Sequence, residues 1–268
     1  MATMKVVWAT DIHLDFLSMA QVDSFCHRLL DDDPDVVLLA GDIAEAHDLE
    51  ALLGRVASRL RRPVYFVLGN HDFYRSDIAF VRERMLALTE ESAHLRWMPA
   101  VGVVPLTDSW ALVGHDGWGD GRLGDPEGSR VELSDWSLIQ DLRFLSRTDR
   151  LKKLRALGDE AAAHLQPALL AALERFPRVL VLTHVPPFRA AAWHQGRPSA
   201  DDWLPWFSCK AVGDVLLAVM RAHPERHALV LCGHTHGAGE VAVLPNLQVK
   251  TGGAAYGMPA VQDVLVLE

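Results

Sequence analysis

The stretch LVLCGHTHGAGE, residues 229–240, places two histidines one residue apart directly behind a short apolar run. Glycines surround His234 and His236, so neither imidazole has the apolar neighbours of a core position. A His-Thr-His segment in a surface loop is the plain structural alternative. The rest of the chain therefore decides whether these two side chains belong to a site.

Four other apolar runs are followed by the same kinds of polar group. The runs are KVVWA (5–9), VVLLA (36–40), VYFVL (64–68) and VLVLT (179–183). They lead into Asp11-Ile12-His13, Gly41-Asp42, Gly69-Asn70-His71-Asp72 and His184 respectively. Continuous apolar runs of this length are typical of strands covered on both faces. Because α/β proteins bind ligands beyond the carboxyl ends of their strands, we expect these polar groups to converge in one crevice.

Helical patterns separate the runs and predict an α/β protein with right-handed crossovers. One apolar stripe comprises Leu49, Leu52, Leu53, Val56 and Leu60; others lie on 78–85, with Ser76 as the expected N-cap, and on 212–219. Three strand-like segments follow residue 238, and we expect them in a second sheet packed on the first.

Residues 116–178 interrupt this alternation. DGWGDGRLGDPEGS (116–129) is a glycine-rich loop, and helical stretches follow near 134–147 and 150–176. Pro167 is expected to split or kink the second of these. We expect one domain over 1–268 with an insertion at about 116–178, and the sequence leaves open whether the insertion is a discrete cap.

Composition narrows the possible functions. Half of the 268 residues are apolar, enough for a sizeable core, and the net charge of −9 argues against an extended nucleic-acid surface. The three cysteines lie far apart without a CxxC pair, which fits a reducing cytoplasm. No apolar run approaches the roughly 20 residues of a membrane span, and the first residues lack a signal-peptide core. We therefore expect a cytoplasmic protein with no membrane contact.

The polar groups at the strand ends suit transition metals. Carboxylate, amide oxygen and neutral imidazole together favour Mn, Fe, Zn or Co over Ca or Mg. Seven candidate ligands are too many for one ion, so a bridging carboxylate would divide them between two; they are Asp11, His13, Asp42, Asn70, His184, His234 and His236. The Asp11/His13 and His234/His236 pairs must leave regular strand for both members to face one site. Gly41, Gly69 and Gly233 would allow close approach.

The ordered motifs DxH, GD, GNHD, a lone His after a strand, and GHTH resemble the calcineurin-like metallophosphoesterase family. They extend from Asp11 to His236, most of the chain. The resemblance implies a four-layer α-β-β-α sandwich, two packed mixed sheets flanked by helices, with the active site at the strand carboxyl ends. GNHD and a complete GHTH are more similar to the cyclic-nucleotide phosphodiesterase-like branch than to protein phosphatases. Lipid-precursor pyrophosphatases of this fold carry Arg in place of His71.

The resemblance also implies roles for single residues. Asp11, His13 and His236 would hold the first metal, Asn70, His184 and His234 the second, and Asp42 would bridge them. Mn or Fe are the first candidates, and Zn or Co the next. A metal-bridging hydroxide would attack a small-molecule phosphodiester or phosphomonoester, with the diester favoured. His71 would contact phosphate or protonate the leaving oxygen, and Asp72 would orient His71.

Substrate contacts are less specified by the sequence. Arg75, His115 and Trp118 are candidates, each with a structural role as its alternative, and the Trp-rich loops 116–124 and 186–207 are expected to set specificity. Two other functions stay open. A metal-dependent nuclease would need a basic groove, and a non-catalytic scaffold would be expected to have lost ligands. The oligomeric state is not predicted.

Overall fold

The computed structural model describes residues 3–268. Its strands are β1 (Met4–Ala9), β2 (Val36–Ala40), β3 (Val64–Val67), β4 (Leu95–Trp97), β5 (Val104–Pro105), β6 (Trp110–Gly114), β7 (Arg178–Leu182), β8 (Trp193–His194), β9 (Arg197–Pro198), β10 (His227–Cys232), β11 (Gly239–Leu244), β12 (Leu247–Thr251) and β13 (Val261–Leu267). Its helices are α1 (Met19–Leu30), α2 (Ala46–Leu60), α3 (Ile78–Glu91), α4 (Met98–Val101), α5 (Asp135–Leu138), α6 (Arg147–Arg175), α7 (Leu204–Phe207) and α8 (Lys210–Ala222).

Two mixed sheets form the centre of the fold. The first has the order β13-β1-β2-β3-β4, and the second has the order β11-β12-β10-β7-β6-β5. In the first sheet β1, β2, β3 and β4 pair in parallel, each with the next, and in the second sheet β12, β10, β7 and β6 do the same. The strands β13, β11 and β5 run antiparallel to their neighbours. The carboxyl ends of the parallel strands therefore lie at one edge of each sheet.

Alternate strand residues face two different cores, as a period of two requires. Val7 and Leu39 face the helices that cover the first sheet, whereas Val6 and Leu38 pack against Leu180 of the second sheet. On the far side of the second sheet, its outer face packs on α6 and α8. This gives helix, sheet, sheet and helix layers, so the expected four-layer sandwich is confirmed.

Helix ends correct one expectation. Ser18 and Gln21 form a capping box at α1, which satisfies N–H groups of its first turn. At α3 the side chain that accepts from the first turn belongs to Asp77, not Ser76. The expectation fell one residue short because both residues are good caps and spacing alone does not separate them.

The long helix α6 is not split at Pro167. It runs for 29 residues, and its two halves pack in different places. Leu154 and Leu157 join the core beside the first sheet, while Leu165 and Leu169 join the core beside the second. Apolar contact along both halves holds the helix continuous across the proline.

The final strand also departs from expectation. β11 and β12 lie in the second sheet as expected, but β13 pairs antiparallel with β1 at the edge of the first. The last two strands therefore bring the chain from one sheet to the other, and the 252–260 loop between them crosses beside the strand ends. Within residues 3–268, no helix combines the length and the apolar character that crossing a membrane requires.

Candidate metal centre

The backbone at the strand ends is turned into an unusual conformation. Of the ten non-glycine residues with positive φ in the described chain, five are candidate ligands: Asp11 (50°), His13 (39°), Asp42 (51°), His234 (70°) and His236 (56°). A left-handed L-residue costs roughly 1–2 kcal/mol and persists only where surrounding contacts impose it. These turns let both members of the pairs Asp11/His13 and His234/His236 face one site, as the sequence predicts.

Backbone hydrogen bonds hold this conformation. The Asp11 N–H donates to Gly41 O and the His13 N–H donates to Asp42 O, each at a distance of 3.0 Å. The His234 N–H donates to both Asp11 carboxylate oxygens at 3.0 Å. The ends of β1, β2 and β10 are thereby fixed to one another by contacts within the protein.

Glycine is required at the three expected positions, for a different reason than close approach to an ion. A Cβ at Gly69 would overlap the Asp42 carboxylate, and one at Gly233 would overlap that of Asp11. At Gly41, with φ of 89°, a Cβ would stand 2.6 Å from Nδ1 of His184. Any side chain would therefore displace a candidate ligand.

The first cluster contains Asp11, His13, Asp42 and His236, whose ligand atoms lie within 4.8 Å of one another. Nε2 of His236 is 3.3 Å from Nε2 of His13 and 3.4 Å from Oδ1 of Asp11. Atoms that share a cation at roughly 2.1 Å stand about 3–3.5 Å apart, so these spacings fit a shared ion.

The second cluster centres on Nε2 of His184. This atom is 3.4 Å from Oδ1 of Asp42, 3.3 Å from Oδ1 of Asn70 and 3.2 Å from Nδ1 of His234. The other oxygen of Asp42, Oδ2, is 3.9 Å from Nε2 of His13 in the first cluster. Asp42 thus presents one oxygen to each cluster, as a bridging ligand would.

The hydrogen bonds of His184 and His234 show that the second cluster fits a cation. Nδ1 of His184 lies 2.8 Å from Ala40 O, and Nε2 of His234 lies 3.0 Å from Trp206 O. Because a carbonyl accepts only from N–H, those nitrogens carry the protons of the neutral rings. The nitrogens that face each other are then both acceptors, and Asn70 adds a third. A cation between them would satisfy all three, and backbone carbonyls commonly impose this arrangement on metal-binding histidines.

Burial and charge favour the same conclusion in both clusters. Burial lowers the pKa of His13 to about 4, and that of His234 to about 4, so both rings are neutral ligands at neutral pH. Burial would raise the pKa of Asp11, but the hydrogen bond from His236 is among the contacts that lower it overall. Burial likewise opposes ionisation of Asp42, and the imidazoles around it bring its pKa well below the usual range. The two carboxylates are therefore anionic.

His71 stands beside the clusters without joining them. Its ring stacks on Tyr74 with centroids 4.3 Å apart, and its Nε2 is 3.9 Å from Oδ2 of Asp42. The side chain is 18 % exposed, so it reaches the cleft. This is the position expected for a group that contacts phosphate or a leaving oxygen.

Asp72 does not orient His71, which corrects the expected role. Its fully buried carboxylate accepts from the N–H groups of Ile43, Ala44 and Gly69 at 2.7–2.9 Å. It therefore ties the loop after β2 to the loop after β3. Tyr74 takes the orienting place beside His71 through ring stacking.

Asn70 has a partner that the sequence did not indicate. Its Nδ2 donates to Oδ1 of Asp135 at a distance of 2.9 Å, and the Tyr74 hydroxyl donates to the same oxygen at 2.7 Å. With the amide nitrogen bound to Asp135, the amide oxygen faces His184. Asp135 lies in α5, within the 116–178 segment, and is buried.

The three expected substrate residues lie away from the open cleft. The Arg75 guanidinium is bound by Glu45, and the side chain is 60 % exposed. His115 packs on His164 with ring centroids 5.0 Å apart, accepts from the Gly117 N–H, and is 4 % exposed. Trp118 lies behind the second cluster, in a small cavity shared with Asn70, His184 and His234. Neither Arg75, paired with Glu45, nor the buried His115 lines the cleft.

The open cleft has a volume of about 270 Å³. Beside the candidate ligands and His71, it is lined by residues for which the sequence predicts no individual role or only a general one; they are Tyr74, Glu132, Leu133, Ser134, Asp135, His194, Trp203, Phe207, Thr235 and Tyr256. Only the Trp-rich 186–207 loop carried a signal, since its composition predicted a specificity loop. Tyr256 comes from the 252–260 loop, whose place became visible only once β13 joined the first sheet.

Comparisons with known proteins agree with this fold. A phosphopantetheinyl hydrolase from Mycobacterium tuberculosis superposes with a TM-score of 0.62 at 15% identity, covering 93% of this chain and 89% of that one. A dimetal phosphatase from Danio rerio gives a TM-score of 0.60 at 15% identity, covering 96% and 89%. At this identity the likeness concerns the fold.

A sequence relative comes from Bos taurus. It is a transmembrane protein with a metallophosphoesterase domain, 34% identical over 125 residues, which are 43% of this chain and 28% of the relative. The chain thus matches less than a third of that protein's length. The model of one family, described as calcineurin-like phosphoesterase, matches residues 4–238. With most of the chain matched and the strand ends arranged as described, the chain belongs to the calcineurin-like phosphoesterase family.

Proposed function

We propose that the protein is a two-metal-dependent hydrolase of small phosphate esters that favours diesters over monoesters. The family match supports a metal-dependent phosphoesterase. The observation that carries the two-metal proposal is the convergence of carboxylate, amide and imidazole groups from five strand ends, with the Asp42 carboxylate facing both clusters. The place of this chain in the cyclic-nucleotide phosphodiesterase-like branch remains a prediction from its motifs.

The residues divide into two sets of donors. Asp11, His13 and His236 would hold one ion, Asn70, His184 and His234 the other, and Asp42 both. Bound there, two transition-metal ions would neutralise the phosphate oxygens and supply a nucleophilic water at neutral pH. The nitrogen-rich donor set supports Mn, Fe, Zn or Co in place of Ca or Mg.

His71 would donate a proton to the leaving oxygen. Its ring is held in place by stacking on Tyr74, while partial exposure leaves it open to the cleft. A general acid must lie within hydrogen-bond reach of the oxygen that departs, and the edge of the cleft beside Asp42 satisfies this for an ester bound over the two clusters. The proton then returns from solvent through the exposed side of the ring.

The test is a metal-reconstitution assay. The purified protein is stripped of metals and supplied with Mn, Fe, Zn or Co separately, and hydrolysis of bis(p-nitrophenyl) phosphate is compared with that of p-nitrophenyl phosphate. Metal-dependent release with a higher kcat/KM for the diester is the expected result. A higher kcat/KM for the monoester would overturn the diester preference, and metal binding without hydrolysis of either ester would contradict the proposed activity.

Asp135 should govern affinity for the second ion by positioning Asn70. Asp135→Ala frees the amide to rotate, and we expect roughly 10- to 100-fold weaker binding at that site, the usual loss when a hydrogen-bonding partner of a ligand is removed. Asp135→Asn keeps an acceptor oxygen and should retain most of the affinity. Calorimetric titration with Mn or Zn measures both sites. Glu127→Ala, an exposed change in the same segment, is the control, and equal affinities in Asp135→Ala and the control would contradict the role.

A further inference from the structure

An aromatic wall extends from the second ligand cluster into the cleft. The Phe207 ring stands 5.3 Å from that of His234, Trp203 lies 5.0 Å from Phe207, and His194 stacks on Trp203 at 6.1 Å with the planes 21° apart. All four side chains line the same cleft as Asp42 and His71. Two ring contacts thus separate Trp203 from a candidate metal ligand, a span that fits a small ester whose phosphate lies over the ligands.

The wall is held rigidly, which makes it suitable for stacking. Phe207 is 9 % exposed and ends α7, while His194 is fixed by its Nδ1, 3.0 Å from Thr235 O. Trp203 is half-buried, with Phe207 and His194 against part of its ring and the remainder accessible. A preorganised aromatic surface loses little entropy when it binds a planar group.

The charge of the cleft limits which substituents a bound phosphate ester can carry. Among the lining residues, taken over the described chain, there is no Lys or Arg, and Glu132 and Asp135 are acidic. The nearby Arg150 lies over the Trp136 ring and does not line the cleft. A second phosphate would therefore face carboxylates without a cationic partner, which is unfavourable.

A cationic group would gain little here either. The Asp135 carboxylate already accepts from Asn70 and Tyr74, and Glu132 is exposed to solvent. Charges at exposed positions contribute little to binding. What remains to distinguish ligands is the aromatic wall itself.

Resting on the proposed function, we propose that the cleft selects substrates with a single phosphate group and an uncharged aromatic substituent, which stacks on Trp203. The volume of about 270 Å³ accommodates one phosphate and a ring system, and lies near the lower end for small-molecule sites. Trp203 is the specificity-determining residue, because its indole is the larger ring of the two half-buried members of the wall, Trp203 and His194.

Non-hydrolysable phosphonates test this by binding alone. Phenylphosphonate, propylphosphonate and 1,4-phenylene bisphosphonate are titrated into the metal-loaded protein by calorimetry. We expect phenylphosphonate to bind roughly tenfold more tightly than propylphosphonate, as aromatic stacking predicts, and the bisphosphonate to gain nothing from its second group. Trp203→Leu should abolish the preference for the phenyl group, while Trp203→Phe should keep part of it.

Trp110→Leu is the matched control, since Trp110 is also half-buried but begins β6 at the opposite end of the sheet. Its phenyl preference should equal that of the unaltered protein. Equal binding of the phenyl and propyl compounds, or tighter binding of the bisphosphonate, would overturn the inference. If nitrophenyl esters are hydrolysed in the same preparation, that failure leaves the proposed function standing; if they are not hydrolysed and no phosphonate binds, both fail.

Discussion

Replacing Asp42 by alanine is expected to abolish binding of the second equivalent of metal and to lower kcat/KM by at least roughly 10²–10³-fold. Removal of one stabilising group from an active site causes losses of that size, and here one carboxylate serves two clusters. Oδ1 lies 3.4 Å from His184 and Oδ2 lies 3.9 Å from His13, so no neighbouring residue replaces both contacts. Metal content by mass spectrometry, with steady-state kinetics on the same samples, measures the effect.

Two further variants separate this effect from damage to the fold. Asp214→Ala removes an exposed carboxylate paired with Lys210 and should leave metal content and kinetics unchanged. Asp42→Gly removes the ligand but also relieves the left-handed φ of 51°, so without metal it should melt at a higher temperature than Asp42→Ala. Full activity with two ions bound in Asp42→Ala would show that Asp42 is not the bridge.

His71→Ala is expected to lower kcat by roughly 10²–10⁴-fold while both ions stay bound, since proton transfer by a positioned side chain contributes on this scale. The loss should be larger for phenyl or alkyl esters than for p-nitrophenyl esters, because nitrophenolate departs without a proton. The measurement is kcat across leaving groups of rising pKa, together with its pH profile.

The dependence on leaving group distinguishes proton donation from simple phosphate contact. If His71 only binds phosphate, all esters should lose activity equally in His71→Ala, and KM should rise. His27→Ala, on the exposed side of α1, is the control and should match the unaltered protein. Loss of metal from His71→Ala would contradict its placement outside the two ligand clusters.

The sequence located most of the sandwich and the candidate ligands because the signals are local. Five of the parallel strands, β1, β2, β3, β7 and β10, are built on continuous apolar runs, and a candidate ligand follows each of them within four residues. The sequence also predicted that His234 and His236 leave regular strand, since alternate residues cannot face one site from a regular strand; the structure shows that they do so with positive φ. The helix cap was harder to predict, because Ser76 and Asp77 are comparably good N-cap residues. The partner of the edge strand β13 was also harder to predict, because a strand-like run does not indicate which strand it pairs with.

Long-range contacts could not be read in this way. Asp135 stands 65 residues beyond Asn70, yet its carboxylate fixes which atom of that amide faces His184. Asp72 follows His71 directly and still points the other way, into three backbone N–H groups. Proximity along the chain predicted a partnership that the turn after β3 does not form.

The sequence by itself determined the α/β class, the ordered ligands and the glycines that make room for them, because strand periodicity and motif order are properties of consecutive residues. Tertiary structure alone decided contacts between distant segments: Asp135 behind Asn70, and the wall of Phe207, Trp203 and His194 beside His234. Such pairings depend on how separate layers pack, and the free energy of packing belongs to contacts between distant segments rather than to any one of them.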